Sequence, residues 1–170
     1  NWKHEKEEYY ICETYLPQYS RVFEFCTQLK NEKKFKTFFY IPDADPVYFQ
    51  ALESQMKRCG LKEHVKLFLR HPEHTELLGS KAGLFFDYMA RRPNELLMRY
   101  ISQNIPIVVA EDSGYSAEIA HQYGKSMIVP FDRFCERINS GYVEESNKCF
   151  RIQPFEFFVK GILKNENCTF

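Results

Sequence analysis

Apolar residues recur along the chain in six short runs: YYIC, KTFFYI, HVKLFL, AGLFFDYM, IPIVVA and SMIVPF. Most are continuous rather than alternating, which is how strands covered on both faces read. The stretches between them carry apolar residues at helical spacing. RVFEFCTQLKNEKK places Val22, Phe23, Phe25, Cys26 and Leu29 on one helical face. VYFQALESQMKRCG follows the turn PDADP, with Asp45 expected as N-cap, Pro46 at the first helical position and Gly60 as the stop. HPEHTELLGSK, RRPNELLMRYISQN and SAEIAHQYG complete the alternation, and DRFCERINSGYVEESNKCF is helical with a break at Gly141. IQPFEFFVKGILKN reads as a last amphipathic helix from about 151 onward.

Repeated strand and helix with short connections predict an α/β fold, a doubly wound, mostly parallel sheet of six strands. In such a sheet, ligands meet the carboxyl ends of the strands. The 170 residues are expected to form a single Rossmann-like domain, since a chain of this length buries most of its surface without dividing.

Composition narrows the function classes. Formal net charge is zero, which points away from nucleic acid and anionic membranes as partners. The basic stretch KNEKKFK reads as a solvated turn. No apolar segment is long enough to span a bilayer, and the opening NWKHEKEE has no signal-peptide character. A cytoplasmic location is expected, with the sequon Asn167-Cys168-Thr169 leaving the secretory pathway as the alternative. The six cysteines lie far apart without a CxxC pair, so buried free thiols are expected. His71 and His74 lack a third ligand nearby and belong to a surface turn, not a metal site. No cofactor is implied.

The chemistry-bearing stretch is EDSGYSAEIAHQYGK, directly after IPIVVA. Here a buried strand breaks at a Gly-centred turn and a helix begins. Gly114 suits a backbone that other residues resist, Ser113 and Ser116 suit caps, and Glu118 in a first helical turn gains from the macrodipole.

The order of these elements resembles the C-terminal, nucleotide-sugar-binding half of GT-B glycosyltransferases, over nearly the whole chain. YYICETYLPQYSRVFEFCTQL stands where that family has its first strand, phosphate loop and helix. ELLGSKAGLFFDYMARRPNELLMRYISQNIPIVVAEDSGYSAEI is similar to its signature core. The resemblance implies a nucleotide diphosphate or its sugar bound at the carboxyl edge, with Arg21 near the phosphates. It further implies Glu95, Arg99, Gly114, Tyr115, Ser116 and Glu118 around the donor, and no assignable catalytic residue. The family's Gly-Arg and Lys-Gly pairs are absent. Counting back from Pro106, its two donor-binding glutamates fall on Arg91 and Arg99, which implies lost donor contacts or a noncatalytic relative. A second Rossmann-like domain or a protein partner is implied too, because the family's cleft lies between two such halves.

Two other readings remain. DSGYSAEIAHQYGK alone resembles nucleoside deoxyribosyltransferases, with Glu118 as nucleophile and Asp112 beside it, but the AGLFFDYM strand and the helix after it find no place there. The third is a noncatalytic Rossmann-like interaction module.

Overall fold

A computed structural model describes residues 8–14, 21–32, 35–42, 45–89 and 94–140. Arg91, Pro93, Tyr15, Tyr19, Cys149, Cys168, the Gly141 break, the helix expected from about 151 and the Asn167 sequon lie outside them.

The six apolar runs become β1 (Tyr9–Glu13), β2 (Lys36–Tyr40), β3 (Val65–Phe68), β4 (Ala82–Phe85), β5 (Ile107–Ala110) and β6 (Ser126–Val129). They form one sheet in the order β3-β2-β1-β4-β5-β6, and every pairing is parallel. The expected doubly wound α/β architecture is therefore present. Helices α1 (Val22–Asn31) and α2 (Pro46–Arg58) follow the first two strands. Next come α3 (His74–Gly79), α4 (Glu95–Ser102) and α5 (Tyr115–Ala120). A short 3-10 turn at Phe131–Arg133 leads into α6 (Phe134–Asn139).

Alternate strand residues face two separate cores. Cys12, Phe39, Leu84, Phe86 and Val108 meet Phe25 and Leu29 of α1, Leu52 of α2 and Phe134 of α6. Ile11, Tyr40, Phe85, Ile107 and Val109 meet Leu77 of α3, Leu96 and Tyr100 of α4 and Ala117 of α5. With helices on both faces, the strands needed apolar residues at consecutive positions, and their sequences show it.

Local signals set the element ends. Asp45 Oδ1 accepts from the N–H groups of Val47 and Tyr48, and Pro46 opens α2. Gly60 ends it in the left-handed region at φ 65°. Asn94, which the sequence reading did not single out, caps α4 by accepting from Leu96 and Leu97. Several elements are shorter than the stretches that predicted them, β4 and α5 among them. β4 stops at Phe85, because Asp87 and Tyr88 leave the ladder and Met89 turns through φ 47°. α5 stops at Ala120, because the chain turns at once toward β6, with Tyr123 N–H donating to Ala120 O.

Gly83 in β4 lets α4 come close. A methyl group added there would sit 2.8 Å from the Phe85 ring and 3.1 Å from that of Tyr100. Gly83→Ala should cost about 1–3 kcal/mol by overpacking. Urea unfolding checks this; an unchanged midpoint would mean that the two rings move aside freely.

Four cysteines, Cys12, Cys26, Cys59 and Cys135, are buried and free, as expected. Burial pushes the Cys26 thiol up to about 12, so it is inert at neutral pH. Among the described residues no helix is long and apolar enough to cross a membrane.

Candidate functional site

After β3, β2 and β1 the strand order jumps to β4 on the other side of β1. The connections on either side of this boundary leave toward opposite faces and open a crevice at the carboxyl ends of β1 and β4. Glu13 and Thr14, both buried, stand at the end of β1, and Asp87 stands two residues beyond β4.

Thr14 Oγ1 donates to Asp87 Oδ1 over 3.4 Å. Desolvation dominates this carboxyl and pushes its pKa up to about 7, against smaller lowering effects from the Thr14 hydroxyl and the Arg21 charge. Asp87 thus sits at the crevice as a carboxyl that exchanges its proton near neutrality.

Arg21 precedes α1 with left-handed backbone angles, φ 49° and ψ 16°. Its guanidinium grips Asp112 in a two-pronged pair, Nη1 to Oδ1 at 2.7 Å and Nη2 to Oδ2. The same guanidinium lies over two rings, 4.6 Å from the centroid of Tyr88 and 4.5 Å from that of Phe131. One side chain therefore ties the start of α1 to the ends of β4, β5 and β6. The hydrogen bonds with Arg21 hold the Asp112 carboxyl below its ordinary pKa, and Asp112 raises that of Arg21 in return.

The turn after β5 is built to reach β4. Ser113 Oγ donates to Phe85 O at 3.3 Å, and Met89 N–H donates to Asp112 O at 3.0 Å. Gly114, at φ 55° and ψ −121°, begins α5 as its N-cap. Only glycine adopts that backbone without strain. Ser113 and Ser116 therefore do not cap the helix with their side chains: Ser113 anchors the turn to β4, and Ser116 is buried with its N–H on Ser113 O at 3.2 Å.

The other sequence-derived site residues are spread over this edge. Tyr115 opens α5 half-buried, and Glu118 is exposed in its first turn. Asp112, read as a neighbour of Glu118, is committed to Arg21 instead. Glu95 is exposed at the start of α4. Arg99 spends its guanidinium on Pro72 O, at 3.3 and 3.2 Å, bracing α4 against the loop before α3. On that side of the rim, His71 Nδ1 lies 2.9 Å from Glu13 Oε2, and Arg70 pairs with Glu76 at 2.8 and 2.7 Å. No group of three or more His, Cys, Asp or Glu side chains among the described residues could hold a metal ion. Sequence reasoning missed Thr14, Asp87, Tyr88 and Phe131. The available signal was a lone acid closing the apolar run AGLFF, at a strand whose place beside β1 only the strand order reveals.

No family model matches the sequence, and no curated protein matches it either. Solved structures do. The lipopolysaccharide outer core galactosyltransferase WaaB in its apo form superposes over 96% of this chain, with TM-score 0.67 and 14% identity. Anabaena Alr3699/HepE in complex with UDP does so over 84%, with TM-score 0.63 and 15% identity. The C-terminal domain of the glycosyl transferase group 1 family protein LpcC from Francisella tularensis matches 79% of the chain, with TM-score 0.55 and 13% identity. The fold is that of the C-terminal, Rossmann-like half of GT-B glycosyltransferases. The chain spans 51% of the length of WaaB, 41% of HepE and 73% of the LpcC domain.

Proposed function

We propose that this chain is the donor-binding half of a GT-B-type glycosyltransferase, or a noncatalytic relative of one, and takes a nucleoside diphosphate at the β1–β4 crevice. The observation that carries this reading is the convergence of Thr14, Asp87, Arg21 and Gly114 on the carboxyl edge of an all-parallel sheet at its switch point. That is where a doubly wound fold receives nucleotides. HepE, which shares the fold, has been solved with UDP. In this role Arg21 serves the phosphates, and the Asp87 carboxyl accepts a ligand hydroxyl when ionised.

The site is weakened in ways that favour the noncatalytic branch. Arg21 is already paired, and Arg99 stands where the resembled family has a glutamate and is bound to a backbone carbonyl. A cation thus replaces the carboxylate that the resemblance implies at position 99 of α4. Binding in the millimolar range follows. A thermal-shift panel of nucleoside diphosphates and their sugars tests it, because a ligand that binds only the folded state raises the midpoint as its concentration passes the Kd. UDP or GDP at tens of millimolar should raise it measurably.

If no nucleotide shifts it, the interaction-module reading takes over. One observation favours that reading: Leu69, Tyr88 and Met89, near the ends of β3 and β4, are 57%, 45% and 57% exposed. A partner protein or a second Rossmann-like domain would cover such a rim. Asp87→Asn supplies a further check on the donor reading. It should weaken nucleotide-sugar binding above pH 7, where the wild-type carboxylate is ionised, and matter less below pH 6. Calorimetric titration at both pH values decides, and equal affinities would remove Asp87 from the site.

A further inference from the structure

The pair that ties the rim together also has the form of a site already filled from within. Arg21 presents its two Nη donors side by side, the arrangement that recognises a carboxylate or a phosphate, and Asp112 occupies both. We propose that Asp112 sets the anion affinity of this edge by competing with a ligand's phosphate for Arg21.

The two partners are held unequally. The Arg21 side chain is 15% exposed and clasped between Tyr88 and Phe131, whereas that of Asp112 is 40% exposed on the turn after β5. Exchange therefore proceeds by Asp112 swinging out into water while Arg21 stays in place. An incoming phosphate finds the donors already oriented and the guanidinium already desolvated, which limits the ordering cost of binding. Charge argues in the same direction. Around Arg21 stand Asp112, Glu24 in the first turn of α1, and Asp87 beyond β4. Among the described residues these three acids surround the Arg21 guanidinium, and each disfavours a phosphate beside it. Asp112 is the acid whose loss frees the fork itself. The nature of the ligand rests on the donor-site reading; the competition does not.

The experiment is calorimetric titration of wild-type protein, Asp112→Asn and the double variant Arg21→Gln/Asp112→Asn, with inorganic pyrophosphate and with UDP as separate probes. Asp112→Asn keeps the shape of the turn and removes the charge. It should bind pyrophosphate about tenfold more tightly than wild type, or better, the gain expected when one charge-assisted pair becomes available to a ligand. The double variant should lose that gain. Equal pyrophosphate affinities in wild type and Asp112→Asn overturn the proposal, as does a gain that survives in the double variant. Circular dichroism checks folding. Should Asp112→Asn not fold, Asp112→Ser is held to the same criteria. The UDP arm separates the two readings. A gain for pyrophosphate with no UDP binding in any variant leaves the competition standing and removes the nucleotide. UDP binding to wild type with no pyrophosphate gain in Asp112→Asn does the reverse.

Discussion

Asp87→Asn should make the protein more stable, by an amount that grows from pH 5 to pH 8 and then levels off. The folded pKa of Asp87 is about 7, against an ordinary value of 3.8. Between those two values the folded protein holds a proton that the unfolded chain has released. Stability must then fall as pH rises, because the unfolded state binds fewer protons. The contribution is fully present below 3.8 and is lost as pH climbs through about 7. At about 1.36 kcal/mol per unit of pKa difference, the penalty at pH 8 is about 4 kcal/mol as an upper bound. An amide cannot ionise, so it escapes the penalty while still accepting from the Thr14 hydroxyl. Lowered carboxylates such as Glu76, at about 2, and Asp112 act with the opposite sign. Their effect is complete by about pH 5, which among the described carboxyls leaves the window above it to Asp87. Urea unfolding of both proteins at several pH values gives the answer. Parallel curves would mean that Asp87 ionises as an exposed acid does.

A group that destabilises the fold at working pH is the mark of a site under a second constraint. In the proposed site Asp87 stands where a ligand hydroxyl would need it, and burial is the largest cause of its raised pKa. Stability and the proposed binding role therefore pull on one residue in opposite directions. Asp87→Asn should gain the first while losing the second.

The strands were legible because a doubly wound sheet imposes a simple demand, apolar residues on both faces, and IPIVVA satisfies it with no polar position to confuse the period. Asp45, Pro46 and Gly60 were legible as ends because their effects are confined to their own turn. AGLFFDYM shows where that ends. Read as one strand, it hid Asp87 and Tyr88 inside an element, although they lie past its last residue and form the rim. Arg21 could be placed near the phosphate loop by order alone. Its partner, 91 residues away, could not, since two charges that far apart in sequence meet only once strand order is known. Ser113 and Ser116 were read as caps because that is the local habit of serine. The close passage of β4 instead gives the Ser113 hydroxyl a carbonyl to donate to, Phe85 O. Position along the strands was local information, and the site was not.

Phe86→Ala should be the most damaging single change within the described residues of the aromatic floor. Phe86 is 1% exposed and follows the last residue of β4, directly before Asp87. It stacks on Phe25 at 4.9 Å between centroids with planes 10° apart, and meets Phe134 edge-on at 5.5 Å. Phe131 and Phe39 complete its surroundings at 5.6 and 6.4 Å. A Phe-to-Ala truncation in such a core costs about 3–5 kcal/mol, because neighbours anchored on different elements cannot all collapse into the space. With about 2–4 °C lost per kcal/mol in a chain of this size, the melting temperature should drop by roughly 6–20 °C. Phe86→Leu separates volume from ring geometry. It keeps most of the volume and should cost less than about 1.5 kcal/mol, as volume-conserving changes do. Phe131 touches both Phe86 and the Arg21 guanidinium, so the damage should reach the rim, and the Asp87 carboxyl should titrate closer to its ordinary range as water enters beneath it. Carbon-detected NMR of that carboxyl in Phe86→Leu, the variant expected to stay folded, measures the coupling. An Asp87 titration unchanged from wild type would show that the aromatic floor stabilises the sheet without tuning the crevice above it.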